Sequence, residues 1–428
     1  MKVGFVSLGC SKNLVDSEYI IGLFDDGTFE FESDPSKCDI IVINTCGFIL
    51  DAKKEAIDTI LEMAEYKKQN LKKLIVCGCF VERYLSECKE EFKEVDLFVP
   101  IHDYPKLHIL LKELLNHIFD ASYKENRKMI TNNFYAYLKI SDGCDNRCSY
   151  CAIPLIRGNC VSYPIEDLVK EALRLYSLGV KELNVVAQDT TYYGKDLYGH
   201  FALKELLVEL DKIPFTWIRV LYMYPDEIED DLLEVMKGLK RVIPYFDIPI
   251  QYGNDRLLKL MNRRGSVELI KKKVNKIRDY FKDAIIRTTI IVGFPYEDED
   301  SFNDTIDLIK ELRFDSLGAF TYSREEDTKS YDMPQLEEDI KNKRYDVLMD
   351  VQKEISLDIN SKRVGRKYLV LVERYESLFD RYIARSYMSA PDGIDGVVYI
   401  KTDKKLEIGS FVEAEIIDYK EYDLIAKV

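Results

Sequence analysis

Short apolar runs alternate with stretches of helical periodicity along the first part of the chain. The apolar runs cover residues 3–8, 39–44, 73–77 and 95–100, and helical spacing of apolar side chains covers residues 14–24 and 52–68. This alternation is typical of βαβ units, in which helices join parallel strands. The pattern predicts an α/β chain whose residues 1–120 form an N-terminal open parallel α/β domain.

A polar, charge-mixed stretch at residues 120–133 separates this region from a second series of strands and helices, and we interpret it as a linker. Apolar runs then recur between helical stretches as far as residue 362. They lie near residues 134–140, 182–187, 217–222, 245–250, 284–292 and 316–321. Six such units predict a central partial (β/α)6 barrel over residues 130–362, with its chemistry in the loops that follow the strands.

The helical period stops near residue 364, and several short β-rich runs take its place. These lie near residues 368–374, 380–384, 396–400, 411–419 and 424–428. They predict a small antiparallel β barrel over residues 363–428. A chain of 428 residues is long enough for the resulting three domains.

Charge, hydropathy and cysteine content exclude several classes of function. The net charge of −15 disfavours non-specific binding to nucleic acid, which needs surplus Lys and Arg. No apolar run reaches the roughly 18 residues of a spanning helix, so we expect no membrane association and a cytoplasmic location. Thiols stay reduced there, and ten cysteines therefore indicate metal binding or catalysis before disulfides.

The spacing Cys144-x3-Cys148-x2-Cys151 is the most specific chemical signal in the chain. Three thiolates on one short loop can hold three irons of a 4Fe-4S cluster, whereas closed clusters and structural zinc sites use four protein ligands. The fourth iron would be open to a small molecule. Three unrelated core cysteines are the plainer alternative.

A second set of cysteines follows three predicted strands, namely Cys10, Cys46 and Cys79. Ligands of open α/β sheets bind beyond the carboxyl ends of the strands, so these thiols are expected to converge although they are distant in sequence. Cys77 is an alternative to Cys79 as the third ligand. We prefer Cys79, because Gly78 beside it would let the backbone approach a ligand. Cys38, Cys88 and Cys160 are interpreted as ordinary thiols.

The cysteine loop, with Tyr150 before its last cysteine, resembles the radical S-adenosylmethionine (SAM) superfamily. Together with the Cys10, Cys46 and Cys79 domain before it and the β barrel after it, the loop resembles the methylthiotransferase family, whose last domain is called TRAM. The resemblance is carried by residues 7–18, 139–144, 152–158, 187–194 and 318–323. These stretches are similar to the branch that acts on an aspartate of ribosomal protein twelve of the small subunit. The chain departs from the family pattern at Tyr163, Tyr252 and Tyr296.

The resemblance implies two 4Fe-4S clusters, one held by Cys144, Cys148 and Cys151 and the other by Cys10, Cys46 and Cys79. It implies two SAM molecules per turnover and insertion of a methylthio group at the β-carbon of the target aspartate. No side chain is expected to act as an acid or base. Five residues are hypothesised to contact SAM or a carboxylate of the substrate: Tyr150, Gln188, Asp189, Gly293 and Arg157.

The expected partners are the ribosomal protein, free or within its subunit, and a flavodoxin or ferredoxin as reductant, with the chain acting as a monomer. The main alternative is a methylthiotransferase acting on a modified adenosine of tRNA. Residues 363–428 hold 11 Lys and Arg against 12 Asp and Glu, a net charge of −1 that suits tRNA poorly. An iron-sulfur electron carrier is a more distant alternative, because carriers normally close each cluster with four ligands. A zinc-binding module is weaker still, since paired C-x2-C knuckles are missing.

Overall fold

The computed structural model describes all 428 residues, and the chain packs as two compact units. The first unit contains Met1–Asn132, Ser141–Val161 and Ser323–Tyr331, and the second contains Asn133–Ile140, Ser162–Tyr322 and Asp332–Val428. The cysteine loop therefore packs with the N-terminal sheet. The domain boundaries at 120, 130 and 362 stay predictions. None of the helices combines the length and apolar character that crossing a membrane requires.

The N-terminal region is an open, fully parallel five-stranded sheet in the order β2-β1-β3-β4-β5, as predicted. Its strands are β1 (Lys2–Ser7), β2 (Glu30–Phe31), β3 (Ile40–Thr45), β4 (Lys73–Gly78) and β5 (Leu97–Val99). Its helices are α1 (Ser11–Leu23), α2 (Leu50–Glu65), α3 (Cys79–Arg83), α4 (Leu85–Glu91) and α5 (Leu107–Leu115). The two-residue strand β2 was not predicted, because so short a strand leaves no periodic signal.

Strand β3 is apolar at its first four positions because both of its faces are covered. Ile40 and Val42 pack in a core with residues of α1 and α5, whereas Ile41 and Ile43 pack in a core with residues of α2. All six residues of β3 are buried. Helices cover both faces of the sheet, so the alternation of polar and apolar positions typical of a half-exposed strand is lost.

The predicted linker is irregular, but it is packed against helix α1. Arg127 is only 2% exposed, and its guanidinium pairs with Glu18 at 2.5 and 2.8 Å. The side chain of Asn126 donates to the carbonyl of Gly22 at 3.0 Å. A polar composition predicted the absence of regular structure here and not the buried ion pair.

The central region contains eight strands and nine helices. The strands are β6 (Tyr135–Lys139), β7 (Ser141–Asp142), β8 (Val161–Ser162), β9 (Glu182–Val186), β10 (Trp217–Val220), β11 (Val242–Asp247), β12 (Ile285–Val292) and β13 (Ser316–Thr321). The helices are α6 (Ile153–Arg157), α7 (Ile165–Ser177), α8 (Lys195–Tyr198), α9 (Leu203–Asp211), α10 (Asp230–Gly238), α11 (Asp255–Leu260), α12 (Val267–Tyr280), α13 (Glu299–Leu312) and α14 (Glu338–Ser361).

Six of these strands form the sheet of the predicted partial barrel. Their order is β13-β12-β11-β10-β9-β6, and every pairing is parallel. Spatial order follows chain order, as in a (β/α) barrel that does not close. Strands β7 and β8 form a separate two-stranded sheet.

The last region is the predicted closed barrel of five strands. They are β14 (Lys367–Glu376), β15 (Arg381–Ser386), β16 (Val398–Ile400), β17 (Phe411–Tyr419) and β18 (Leu424–Lys427). The expectation of a wholly antiparallel barrel is wrong in one pairing, because β16 runs parallel to β18. Strand β17 lies between them in sequence but pairs with β14 and β18, so β16 meets β18 with the same direction.

Within the second unit, a buried ion cluster joins the closed barrel to the parallel sheet. The carboxylate of Glu182 on β9 accepts from Nε of Arg219 at 3.0 Å and from Arg385 of β15 at 2.5 and 3.1 Å. Nearby, Asp395 accepts from Tyr245, Arg287 and Ser316. Burial raises the pKa of Glu182, but the two arginines more than offset this and hold it below its usual value.

Removing this carboxylate is expected to destabilise the second unit strongly. All three side chains of the Glu182 cluster are at most 1% exposed, so Glu182→Gln would leave two buried guanidinium groups without their shared anion. We expect a loss of about 3–5 kcal/mol in the free energy of unfolding, measured by denaturant titration. The exposed pair of Lys367 and Glu413 offers a control, and Glu413→Gln should change it by less than about 1 kcal/mol.

Candidate functional site

The loops after β1, β3 and β4 bring Cys10, Cys46 and Cys79 together, as the sequence predicts. A Cβ atom on Gly9 would lie 2.7 Å from Cβ and 2.9 Å from Sγ of Cys46. A Cβ atom on Gly47 would lie 3.0 Å from the carbonyl carbon of Cys79. Two glycines thus allow the three cysteine-bearing loops to touch one another.

Cys77 is separated from this group by the end of strand β4. Its thiol donates to the carbonyl of Ile43 at 3.4 Å and packs in the apolar core, whereas Cys79 begins helix α3. The preference for Cys79 agrees with this placement. A close approach of the Gly78 backbone to a ligand stays a prediction, but the structure shows another reason for a glycine at this position. At φ 101°, a Cβ atom on Gly78 would lie 2.3 Å from Oδ1 of Asn44, so close packing of strands requires the glycine.

The three thiols influence one another electrostatically. Burial raises the pKa of Cys46 to about 12, and the neighbouring Cys79 and Cys10 add to that increase. Burial also raises the pKa of Cys79. Desolvation by the surrounding protein would also raise the pKa of Cys10. The positive charges of Lys12 and Arg157 more than offset this effect, so the pKa of Cys10 is lowered. The site therefore contains cations that favour a thiolate.

Three thiols on neighbouring loops are the soft donors that an iron-sulfur cluster with one open iron would need. No three His, Cys, Asp or Glu side chains in the structure are already arranged as the ligands of a metal ion. The six cysteines accordingly stay predicted ligands.

The loop that carries Cys144, Cys148 and Cys151 is folded tightly and leaves all three thiols half-buried. The amide of Cys144 donates to the carbonyl of Gly158 at 3.2 Å, and the amide of Cys151 donates to that of Cys148 at 3.1 Å. At Gly143, with φ 74°, a Cβ atom would lie 2.0 Å from the carbonyl oxygen of Asn159. These contacts hold the cysteines on one compact turn, where they remain accessible to a cofactor.

Arg157 lies at the end of helix α6 and reaches both cysteine sites. Its Nη1 donates to Asp142 at 2.7 Å. Its Nη2 donates to Asp16 at 2.9 Å and lies 3.5 Å from Sγ of Cys79. A contact of Arg157 with a carboxylate of SAM or substrate stays a prediction, and the carboxylates that it contacts in the structure are those of Asp142 and Asp16.

Arg83 and Glu325 form a second buried contact beside Cys79. Arg83, on the helix that Cys79 begins, donates from Nη1 to the carbonyl of Gly47 at 3.2 Å and to Glu325 at 2.7 Å. Lys53 of α2 donates to the same carboxylate at 2.9 Å. The segment Ser323–Tyr331 is thereby anchored to the loops of Cys46 and Cys79, and the amide of Ser330 also donates to the carbonyl of Ser149.

Tyr150, Gln188 and Asp189, three of the other residues hypothesised to contact SAM, all lie on loops. In the first unit, Tyr150 is half-buried on the cysteine loop. In the second unit, Gln188 follows strand β9. Its buried Oε1 has no hydrogen-bond partner, which is expected of a group that binds a ligand. Oδ1 of Asp189 accepts from the amides of Thr191 and Tyr192 and so holds the turn after β9.

Gly293 follows strand β12 with φ 74°. A Cβ atom there would lie 2.3 Å from Cγ of Lys341, so packing against α14 already requires a glycine. Its amide donates to Glu297 at 2.8 Å. An approach of this backbone to the adenine of SAM stays a prediction.

Glu227, which the sequence did not single out, lies beside Asp189 in the second unit. The hydroxyl of Thr191 links them, at 2.6 Å from Oδ1 of Asp189 and 3.5 Å from Oε2 of Glu227. Burial, assisted by the negative charge of Asp189, raises the pKa of Glu227 to about 8, and its ion pair with Arg264 opposes the increase.

This carboxyl should make stability depend on pH. Between its ordinary pKa of 4.5 and about 8, the folded chain keeps a proton on Glu227 that the unfolded chain releases. The free energy of unfolding should fall as the pH rises through that range, by at most about 1.4 kcal/mol per pH unit from this group. Denaturant titrations from pH 5 to pH 8.5 should show a smaller fall for Glu227→Gln. An equal fall in both proteins would contradict the raised pKa.

Several site residues carry no periodic signal that would reveal them. Asn13 is fully buried and donates from Nδ2 to the carbonyls of Leu8 and Thr45, which connects the loops of Cys10 and Cys46. Asn13 and Asp16 fall within the family string at residues 7–18, and Asp142 falls within 139–144. Nearness to a cysteine was the only available signal. Arg83 and Glu325 offered none, because 242 residues separate them.

Three family descriptions match consecutive parts of the chain. Residues 2–100 match the "Uncharacterized protein family UPF0004", residues 138–309 match the "Radical SAM superfamily" and residues 364–428 match the "TRAM domain". Among solved structures, the radical SAM methyltransferase TsrM from Kitasatospora setae, with cobalamin and a [4Fe-4S] cluster bound, superposes with a TM-score of 0.58. It is 12% identical and the match covers 77% of each chain, so this likeness concerns the fold alone.

Full-length relatives are considerably more similar. "Ribosomal protein uS12 methylthiotransferase RimO" of Caldicellulosiruptor saccharolyticus is 48% identical over 441 residues, covering 100% of both chains. The protein of the same name from Clostridioides difficile (strain 630) is 46% identical, covering 100% of this chain and 99% of the relative. Because the identity extends through all three matched regions, the chain belongs to the RimO family of radical-SAM methylthiotransferases.

Proposed function

We propose that this enzyme inserts a methylthio group at the β-carbon of an aspartate of ribosomal protein uS12. It would use one 4Fe-4S cluster on Cys144, Cys148 and Cys151, a second on Cys10, Cys46 and Cys79, and two SAM molecules. Membership of the radical-SAM methylthiotransferases supports the reaction type and the use of iron-sulfur and SAM. The names of the relatives support uS12 as the substrate.

One observation carries the two-cluster part of this proposal. Both cysteine sets belong to the same compact unit, and Arg157, at the end of helix α6 after the cysteine loop, lies 3.5 Å from the sulfur of Cys79. Hydrogen abstraction and sulfur transfer must act on one carbon, so two sites that share a contacting side chain suit the reaction. Two independent iron-sulfur centres of an electron carrier would need no such sharing.

When bound, the clusters and SAM supply the hydrogen abstraction, the sulfur and the methyl group. The chain positions them. Asn13, Gly9 and Gly47 hold the three cysteine loops in contact, while the turn from Gly143 to Gly158 holds the other three cysteines. The three cysteines of that turn are only half-buried, as a site open to a small molecule requires.

Charge favours a protein substrate over tRNA. The chain has a net charge of −15, and its last 66 residues have 11 basic and 12 acidic side chains. A neutral barrel lacks the surplus of Lys and Arg that binds phosphates, whereas an acidic surface attracts a basic ribosomal protein. We further propose a flavodoxin or ferredoxin as reductant, a monomeric enzyme and a cytoplasmic location, where thiols stay reduced.

The substrate is tested by offering both candidates to the same reconstituted enzyme. Three substrates are incubated separately with the enzyme, SAM and a reductant under anaerobic conditions. They are purified uS12, tRNA that carries the modified adenosine, and tRNA in which that adenosine is unmodified. We expect peptide mass spectrometry to find one aspartate of uS12 with a methylthio group in place of one hydrogen, and nucleoside analysis to find unchanged tRNA. Methylthiolated tRNA with unchanged uS12 would support the tRNA alternative instead.

A further inference from the structure

Arg157 is placed as a bridge between the two cysteine sites of the first unit. Its side chain is only 2% exposed, and its two terminal nitrogens serve different parts of the chain. Nη1 donates to Asp142, two residues before Cys144. Nη2 donates to Asp16 at 2.9 Å and to Asn13 at 3.4 Å, and it lies 3.5 Å from Sγ of Cys79.

The partners on the Nη2 side are themselves fixed. Asp16 is 1% exposed and its other oxygen accepts from the hydroxyl of Tyr123 at 2.9 Å. Asn13 connects the loops of Cys10 and Cys46 through its amide nitrogen. One guanidinium is therefore attached to a rigid cluster around Cys10, Cys46 and Cys79 and, through Asp142, to the start of the Cys144 loop.

The chemistry of the side chain suits this task. A guanidinium is planar and always charged, and its two nitrogens can bind two carboxylates at a fixed separation. A lysine ammonium carries the same charge, but it is a single point that cannot serve both carboxylates with the same geometry. Replacing Arg157 by lysine therefore keeps the positive charge and removes the simultaneous contact with two carboxylates.

We propose that Arg157 is a positioning residue that sets the separation between the Cys144, Cys148 and Cys151 site and the Cys10, Cys46 and Cys79 site. The inference rests on the proposed function. In that reaction, hydrogen abstraction at one site must be followed promptly by sulfur transfer from the other, so the distance between the two sites affects the yield of product. A loosened bridge should leave both sites loaded and SAM cleavage active while fewer cleavage events lead to methylthio product.

The test compares Arg157→Lys and Asp142→Asn with the unaltered enzyme after anaerobic reconstitution. For Asp142→Asn we expect near-normal iron content and SAM cleavage, but roughly tenfold more deoxyadenosine per methylthiolated uS12. Arg157→Lys, which also alters the contact with Cys79, should raise that ratio at least as much. The magnetic coupling between the two reduced clusters in electron paramagnetic resonance spectra should change, which requires no substrate. In the metal-free chains, amide hydrogen exchange of Ser141–Val161 should become faster, because the loop has lost an anchor.

Arg256→Lys is the matched control, since Arg256 forms an ion pair with Asp298 on the surface of the second unit at 2.6 Å. It should resemble the unaltered enzyme in every measurement. If Arg157→Lys loses iron, Asp142→Asn decides, because it leaves Asn13, Asp16 and Cys79 in place. Unchanged cluster coupling and unchanged hydrogen exchange in Asp142→Asn would overturn the bridge. A wrong substrate would look different, because the unaltered enzyme itself would then leave uS12 unmodified.

Discussion

A Cys148→Ala variant is expected to bind about half of the roughly eight irons of the reconstituted chain and to release no deoxyadenosine from SAM. Cys148 is the middle cysteine of the tight turn, and a cluster with only two of its three thiolates is not retained. Because SAM cleavage depends on this site, neither a substrate radical nor a methylthio product can form. Iron analysis and chromatography of the SAM products measure both effects.

Cys160→Ala is the control for this variant. Cys160 is buried close to the same loop, where its amide lies 3.4 Å from Asp145, but its thiol is not a predicted ligand. It should keep the iron content and the SAM cleavage of the unaltered chain. Normal deoxyadenosine formation in Cys148→Ala would contradict the assignment of the radical site.

The corresponding change at the second site, Cys46→Ala, should separate the two halves of the reaction. The variant should again bind about half the iron, but it should still cleave SAM, because the Cys144, Cys148 and Cys151 turn is unaltered. Methylthiolated uS12 should fall below detection, since no sulfur is available to the substrate carbon. The combination of retained cleavage and absent product distinguishes this variant from Cys148→Ala.

Cys88→Ala, on helix α4 of the same N-terminal region, provides the matched change. Cys88 is buried in the apolar core beside α2, away from the three cysteine loops, and should keep full iron and product. An iron content unchanged by Cys46→Ala would remove the second site. Loss of all iron in Cys46→Ala would instead indicate that the two sites cannot be loaded independently.

The spacing of apolar residues predicted those strands and helices that are long enough to show a regular pattern of burial. Strand β3 is apolar at nearly every position because both of its faces are covered, and its position could be read from the sequence to within a residue. Strand β2 could not, because two residues carry no period. The parallel pairing of β16 with β18 could not be predicted either. It arises because β18 pairs directly with β16, although β17 lies between them in the sequence.

The convergence of Cys10, Cys46 and Cys79 was predictable because it follows from a rule of topology that places strand ends together. The packing role of Gly78 could not be read from the sequence, because the atoms that exclude a side chain there belong to Asn44 and Thr45 of the neighbouring strand. Contacts between distant parts of the chain, such as Arg157 with Asp16, leave no mark on local pattern. They arise only once the cysteine loop packs with the N-terminal sheet.

The central claim, methylthiolation of a uS12 aspartate, is tested most directly in cells lacking the gene for this chain. Ribosomal proteins and tRNA nucleosides are analysed by mass spectrometry before and after complementation with the unaltered chain or with Cys46→Ala. The account predicts that uS12 lacks the methylthio group in the deletion strain, regains it only with the unaltered chain, and that tRNA modification is the same throughout. A fully modified uS12 in the deletion strain, with a tRNA methylthio group missing, would contradict it.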